Sequence, residues 1–397
     1  MEIWNNIKSL SEKYRDYTAH NLSEIVKIPS LSGQEGDVIE KIADILEEAD
    51  FDEVRLDALG NLIARVGDGE RKLAFDAHID VVDTGNISQW DFEPFSGKIR
   101  DGFVHGRGSV DQKGGAAAMI TAGKILKEMG YGGSFSIFFT FTIMEEDCDG
   151  LCWNFLIETG ELVPDYVVLT EPTNLSVNCG HRGRMEMEVL FYGRSAHGAM
   201  PERGDNAIYR AAKSAIEIEK LNERLPADDF LGKGTVVLSE IRSEAPSLCA
   251  VPDFCAFHLD RRLTWGETKE SAVNEVREII EEDAKVVVPM YDRKSYRGIS
   301  YPQEKYFPTW RFLKNHPFVK SGIRTAEMIF GGKVDVGKWI FSTNGVSTAG
   351  KHKIPTIGFG PGNEIYAHSP NEKVPIEHLV KASQFYALLP FVMEGDL

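Results

Sequence analysis

His78, Asp80, Asp111, Glu145, Glu146, Glu171 and His368 are the residues of this sequence whose types and places suit chemistry. His78 and Asp80 stand two apart at the end of the apolar stretch Lys72-Leu-Ala-Phe-Asp-Ala-His-Ile-Asp-Val-Val82. Read as a strand, that stretch projects the pair to one face. A histidine beside a carboxylate suits a metal ligand held by a supporting acid, an acid–base pair, or a satisfied histidine in a turn. Glu145, Glu146 and Asp147 close a second apolar run at 134–144, and Glu171 closes a third at 166–170. Three acids at the end of a buried strand repel one another and lose hydration, so a cation must compensate or one acid must hold a proton. Asp111 precedes an Ala-rich helix, where an acid is ordinarily an N-cap. Gly106 and Gly108 beside it match neither G-x-G-x-x-G nor Walker A, which argues against a phosphate loop.

Histidines and carboxylates without cysteine suit Zn²⁺, Co²⁺ or Mn²⁺. The set is large enough for two metals sharing a bridging carboxylate, the arrangement that activates water at neutral pH. One acid must stay free of metal to move the proton.

The elements that position these residues follow from hydrophobic period. Residues 1–50 read as two helices, the second over 38–46. Strands are expected at 54–56, 62–66, 72–82, 134–144 and 166–170, with helices at 114–129 and 151–162. In open α/β sheets, ligands bind beyond the carboxyl ends of the strands. The texture then changes: 184–192 alternates as an antiparallel strand with one wet face. A helix (206–221), strands (235–240 and 254–261), a helix (267–283) and a strand (285–291) complete a β-α-β-β-α-β order, which is ferredoxin-like. Residues 182–292 therefore read as a domain inserted into a catalytic domain of 1–181 and 293–397. Helices at 319–330 and 374–389 finish the chain.

At 397 residues the chain is long enough for two domains. Its net charge of −17 argues against nucleic acid and anionic membranes as partners. The five cysteines are odd in number and form no CxxC, so a disulfide framework is not expected. The first residues lack a basic start followed by an apolar run, and no stretch approaches the roughly 20 apolar residues of a membrane helix. The cytosol is the expected compartment.

Phe75-Asp-Ala-His-Ile-Asp-Val-Val, Gly106-Arg-Gly-Ser-Val-Asp-Gln-Lys-Gly-Gly, Glu145-Glu146, Leu169-Thr-Glu-Pro-Thr, Ser195-Ala-His-Gly and Ala367-His-Ser-Pro-Asn-Glu fall in order along nearly the whole chain. Together they resemble the M20 family of metallohydrolases. The likeness is greatest to the acetylornithine deacetylase and succinyl-diaminopimelate desuccinylase branch, and within it to a group of selenium-metabolism-linked hydrolases. The resemblance implies an α/β fold: a zinc-exopeptidase-like catalytic domain with a mixed sheet, and an inserted ferredoxin-like lid and dimerisation domain. It implies that His78 and Glu171 bind one metal, Glu146 and His368 the other, and Asp111 bridges them. Asp80 orients His78, and Glu145 is the general base. The peptide bond from Asp111 to Gln112 would be cis. His197, in the inserted domain, would reach the neighbouring subunit's site to hold the oxyanion, which implies a homodimer. Arg182, Asn206 and Arg261 are similar to the family's substrate contacts, although Arg182 also suits a domain-boundary cap, and Arg261 with Arg262 a solvated face.

One loop departs from the pattern. Where relatives carry Asp followed by Arg, this chain reads Ser342-Thr-Asn-Gly-Val346. Asn344 is then the pocket candidate, and the pocket differs from those of the named enzymes. The expected activity is hydrolysis of the amide of an N-acyl amino acid or small dipeptide-like substrate, with two divalent ions, zinc first and cobalt or manganese as alternatives. Cleavage of an N-carbamoyl or ureido group is the rival chemistry. A protein that kept the fold for binding and lost the reaction is the rival from another class.

Overall fold

The computed structural model describes residues 2–395. A nine-stranded mixed sheet carries the strand ends singled out above. Its strands are β1 (Glu53–Leu56), β2 (Leu62–Val66), β3 (Arg71–His78), β4 (Phe135–Thr142), β5 (Tyr166–Leu169), β6 (Val177–His181), β11 (Trp310–Arg311), β12 (Val336–Trp339) and β13 (Thr356–Gly358). The order across the sheet is β1-β2-β4-β3-β5-β13-β6-β11, with β12 also paired to β6. β3 lies between β4 and β5 and runs parallel to both. Every residue of β4 is buried, as a parallel strand covered on both faces requires.

Alternation along these strands divides the core. Leu73, Phe75, Ile137 and Phe139 pack with helices α4 (Lys113–Glu128) and α9 (Ile376–Glu394). Ala74 and Phe138 face the other way, toward Trp153 and Leu156 of α5 (Leu151–Glu158). Each large side chain so buried contributes about 1.5–3 kcal/mol. Gly115 lets α4 sit close under the end of β5: a Cβ there would come within 2.2 Å of Thr170 Oγ1. That close seat brings the start of α4, and so Asp111, up to the strand ends.

A second, five-stranded sheet holds β7 (Gly183–Tyr192), β8 (Thr235–Glu244), β9 (Phe254–Leu263) and β10 (Lys285–Val287) in the order β8-β9-β7-β10, and the short strand Tyr306–Phe307, from beyond the expected 182–292 segment, also pairs with β7. All its pairs are antiparallel. With α6 (Ala207–Arg224) and α7 (Lys269–Arg277) between the strands in sequence, this is the ferredoxin-like order. Met185, Met187, Val189, Phe257 and Leu259 form its core, separate from that of the large sheet. The chain enters this unit between His181 and Gly183, where β6 ends and β7 begins.

Several expected elements are corrected. The first helix is two, α1 (Glu2–Lys13) and α2 (Arg15–Val26), broken at Tyr14; α3 (Gly36–Glu48) is the expected second helix, and α8 (Pro317–Phe330) the one expected at 319–330. β3 stops at His78, so Asp80 lies in the loop beyond. β6 was not anticipated: Val177-Asn-Cys-Gly-His181 mixes polar and small residues and gives no period. The helix expected at 267–283 ends at Arg277. The strand expected at 285–291 divides into β10 and Met290–Tyr291, which pairs with Gln303–Glu304 instead. No helix among the described residues is long and apolar enough to cross a membrane.

Candidate metal centre

Three neighbouring parallel strands deliver their carboxyl ends to one place. β3 supplies His78, the turn after β4 supplies Glu145 and Glu146, and the turn after β5 supplies Glu171. Asp111 comes from the loop before α4, and His368 from the loop before α9. His78 Nε2 lies 3.0 Å from Asp111 Oδ1 and 3.7 Å from Glu171 Oε1. His368 Nε2 lies 3.3 Å from Asp111 Oδ2 and 3.0 Å from Glu146 Oε2. The two oxygens of Asp111 thus face two different imidazoles, one in each half of the cluster. Glu145 Oε2 is 3.9 Å from His78 Nε2, and its Oε1 is buried without a hydrogen-bond partner, as is Oε2 of Glu171. The Asp111–Gln112 peptide bond is cis.

Buried hydrogen bonds fix these groups. His78 Nδ1 donates to the Asp80 carbonyl at 3.0 Å, which turns Nε2 into the cluster. The Asp80 carboxylate is farther from that nitrogen, at 3.5 Å. It accepts instead from the backbone N–H groups of Glu145 (3.1 Å) and Glu146 (3.0 Å), and from Ser32 Oγ (2.7 Å). Asp80 therefore orients His78 with its carbonyl and the acidic turn with its side chain. Glu372 does the same for Asp111. It is fully buried and accepts from Arg107 Nη1 (2.6 Å) and from the N–H groups of Gly108, Val110 and Asp111.

Electrostatics shows what the cluster lacks. Burial, with Asp149, Glu171 and Glu146 nearby, pushes the Glu145 carboxyl well above its usual range. Burial and the neighbouring Asp111 and Glu146 do the same to Glu171. Glu146 is raised to about 7 by burial and by Asp111. Burial opposes charge on His78, yet the Glu145 and Glu171 carboxylates outweigh it and hold that imidazole well above its ordinary value. Hydrogen bonds to Asp111 and Glu146 raise His368 to about 10. Asp111 is lowered: the hydrogen bonds to both histidines outweigh its burial. These shifts share one cause: the buried carboxylates need positive charge among them. Four carboxylates, two imidazoles and two buried oxygens without partners fit divalent cations held by nitrogen and oxygen.

The model for peptidase family M20/M25/M40 matches residues 74–390. The chain belongs to this family. It is 48% identical over 389 residues to YgeY of Escherichia coli, an uncharacterized protein, with 96% of each chain covered. A probable succinyl-diaminopimelate desuccinylase of Staphylococcus epidermidis is 26% identical over 387 residues, covering 88% of this chain and 91% of that one. Among solved structures, YXEP of Bacillus subtilis, a dinuclear metal-binding peptidase of family M20, superposes with a TM-score of 0.71 at 17% identity, covering 96% and 99% of the two chains. This M20 chain is a metal-dependent hydrolase of amide or peptide bonds.

The residues expected to touch substrate are placed less simply. A cavity of about 370 Å³ opens on the metal-site residues and is also lined by Asp149, Arg184, Arg262, Phe341, Ser342 and Glu364. None of the expected substrate contacts lines it. Arg261 is fully buried and ion-paired with Glu267 and with Glu275 of α7. It shares the strand row of Phe257, Leu259 and Leu263, and Arg262 lies on the opposite row. Arg182 donates to the Lys233 carbonyl at 2.7 Å, the boundary-cap role. Asn206 is the N-cap of α6, accepting from the N–H groups of Ile208 and Tyr209. Asn344 is buried under the cleft floor, where its amide donates to Asp76 (2.9 Å) and Thr142 (3.2 Å) and its oxygen accepts from the Gly150 N–H. His197 lies on an exposed loop of the second sheet's unit, outside this cavity.

Proposed function

We propose that this M20 hydrolase removes an acyl group from an N-acyl amino acid, or cleaves a small dipeptide-like amide, with Glu145 as general base. The observation that carries this reading is the pair of Asp111 oxygens facing two imidazoles, with an unpartnered Glu145 oxygen beside them. His78 and Glu171 on one side, and Glu146 and His368 on the other, would hold two divalent ions about Asp111. Zinc suits these donors first, and cobalt or manganese also fits. Bound there, such ions polarise the scissile carbonyl and acidify water. Glu145 would accept a proton from the water whose oxygen adds to the scissile carbonyl carbon, and would pass it to the leaving nitrogen as the C–N bond breaks. Asp80 and Glu372 keep the acidic turn and the Asp111 loop in place while this happens. Within the family we place the chain in the acetylornithine deacetylase and desuccinylase branch, with the selenium-metabolism-linked hydrolases; the desuccinylase relative supports the branch. A cytosolic setting agrees with the five free cysteines.

Metal analysis paired with a panel of N-acetyl, N-succinyl, N-carbamoyl and dipeptide substrates tests the reading. About two equivalents of metal with one preferred acyl group is the expected result. Ammonia and carbon dioxide from the carbamoyl member would make it a ureido hydrolase. Metal-loaded protein with no turnover across the panel would favour the binding protein.

We further propose that residues 182–292 form a lid through which two copies pair, each lending His197 to the other's cleft. Exposed edge strand β8 supports this: Val237 and Ile241 are 55% and 57% accessible, and Tyr209 and Ile216 of α6 are also exposed. An unpaired edge that bears exposed apolar side chains invites a second copy. Ile241→Asp is expected to give a monomer by sedimentation velocity, with turnover reduced roughly a hundredfold as an oxyanion donor is lost. A fully active monomer would sink the role of His197 in the neighbouring site.

A further inference from the structure

Arg184 makes no side-chain hydrogen bond among the described residues, although its side chain is only 20% exposed. Its closest acids are Glu186 at 3.7 Å and Asp149 at 3.9 Å, both beyond hydrogen-bond range. Those acids are engaged elsewhere. Glu186 accepts from Lys305 Nζ (2.9 Å) and meets His258 Nε2 (3.1 Å), and Asp149 accepts from the Ser342 hydroxyl. Nε of Arg184 is buried with no hydrogen-bond partner. Directly across the strand pair stands Arg262, whose guanidinium is held by both oxygens of Asp260 at 2.8 and 2.9 Å. Like charges facing each other across a strand pair destabilise a sheet, and a mostly buried guanidinium that meets its acids only at 3.7–3.9 Å, with no hydrogen bond, is incompletely satisfied. The arrangement calls for an anion.

The surroundings say what kind. Arg184 lines the same cavity as His78, Glu145 and Glu171, so the anion belongs to whatever is cleaved there. The Phe307 ring, 4.7 Å from the guanidinium carbon, steadies the guanidinium. A steadied fork with two free N–H edges matches a planar carboxylate through parallel hydrogen bonds. The loop 342–346 carries no arginine, and its Ser342 lines the cavity beside Arg184.

We propose that Arg184 is the specificity determinant of this cleft, holding a substrate carboxylate on one side or the other of the scissile amide. This rests on the amide-hydrolase reading above. Calorimetry on metal-loaded protein tests it with two matched pairs. N-acetyl-L-alanine and N-acetyl-L-alaninamide differ by a carboxylate on the amine side. N-succinylglycinamide and N-butyrylglycinamide differ by one on the acyl side. In one pair the carboxylate member is expected to bind tighter, and Arg184→Gln to remove roughly a tenfold to hundredfold preference while the neutral member binds as before. The pair that responds names the side. Arg184→Lys, which keeps the charge and loses the fork, is expected to fall between the two and serves if the Gln variant fails to fold. Arg184→Gln also loses the ion pairs with Glu186 and Asp149, so thermal melts confirm that each variant is folded before binding is compared. No preference in the wild type, or equal weakening of both members, would overturn the proposal. Turnover is scored separately: carboxylate-selective binding without cleavage would remove the reaction and leave the subsite standing.

Discussion

Glu145→Gln is expected to lower kcat by about three orders of magnitude while the protein still binds both metals. The size is that of a lost general base, roughly 10²–10⁴. Glutamine keeps the shape and the buried position, so the packing around this residue, only 5% exposed, is preserved. What it removes is the capacity to take a proton at the oxygen that has no partner in the protein. The alternative is a direct ligand, because His78, Glu145 and Glu171 also lie close enough together to share one ion. The two roles separate on metal content. A base leaves occupancy by mass spectrometry near wild type as turnover collapses; a ligand loses metal and turnover in step. Geometry favours the base, since the other carboxylates already pair with an imidazole at 3.0–3.7 Å and Glu145 lies at 3.9 Å.

Of the candidate metal ligands, His78, Glu146 and Glu171 were legible in sequence, as was Glu145 beside them, because each stands where a strongly periodic strand stops; Asp111 precedes a helix and His368 lies in a loop, and only the motif order pointed to them. Apolar runs that end in His-x-Asp, Glu-Glu and Glu mark strand ends, and parallel strands bring their ends together. Partners that act through the backbone were not legible. Asp80 was read as the carboxylate behind His78, yet its carbonyl does that and its side chain gathers the Glu145 and Glu146 amides. Glu372 stood in a quoted motif without a role, because no sequence pattern announces an acid that accepts three amides from a loop some 260 residues away. The substrate side was missed by strand parity. Arg261 and Arg262 are consecutive, so one must face the helices and the other the cleft, and sequence alone did not say which. Burial of the odd-numbered row Phe257, Leu259 and Leu263 was the available signal, and it puts Arg261 inside. Asn344 was misplaced for a different reason. The loop does border the cleft at Ser342, but two residues on the chain has turned inward toward Asp76.

Metal removal should destabilise the protein by an amount that grows with pH. The sign follows from which state holds the protons. Glu146 is raised to about 7, and Glu145 and Glu171 well above the usual range, all first by burial. A carboxyl raised in the folded state keeps a proton that the unfolded chain has released, so it favours folding near pH 5 and loses that contribution as pH climbs through its folded value. His368, raised to about 10 chiefly by its hydrogen bonds to Asp111 and Glu146, contributes below the unfolded histidine value and loses it as pH rises toward 10. Asp111 has the opposite sign, but its lowered value lies on the acid side of this window, so its contribution is constant across it. Metal-free protein therefore weakens steadily from pH 5.5 to 8.5. Loaded protein behaves the other way, because ligands must be deprotonated and metal affinity rises with pH. Free metal at 100 to 1,000 times its dissociation constant adds about 3–4 kcal/mol per site. At pH 8.5 the melting temperatures with metal and with chelator should differ on the order of 10 °C, and at pH 5.5 by much less. Thermal unfolding in the two states at both pH values reads the gap directly. A gap that is constant, or narrows with pH, would mean that the protons of this cluster do not occupy the places of the metals.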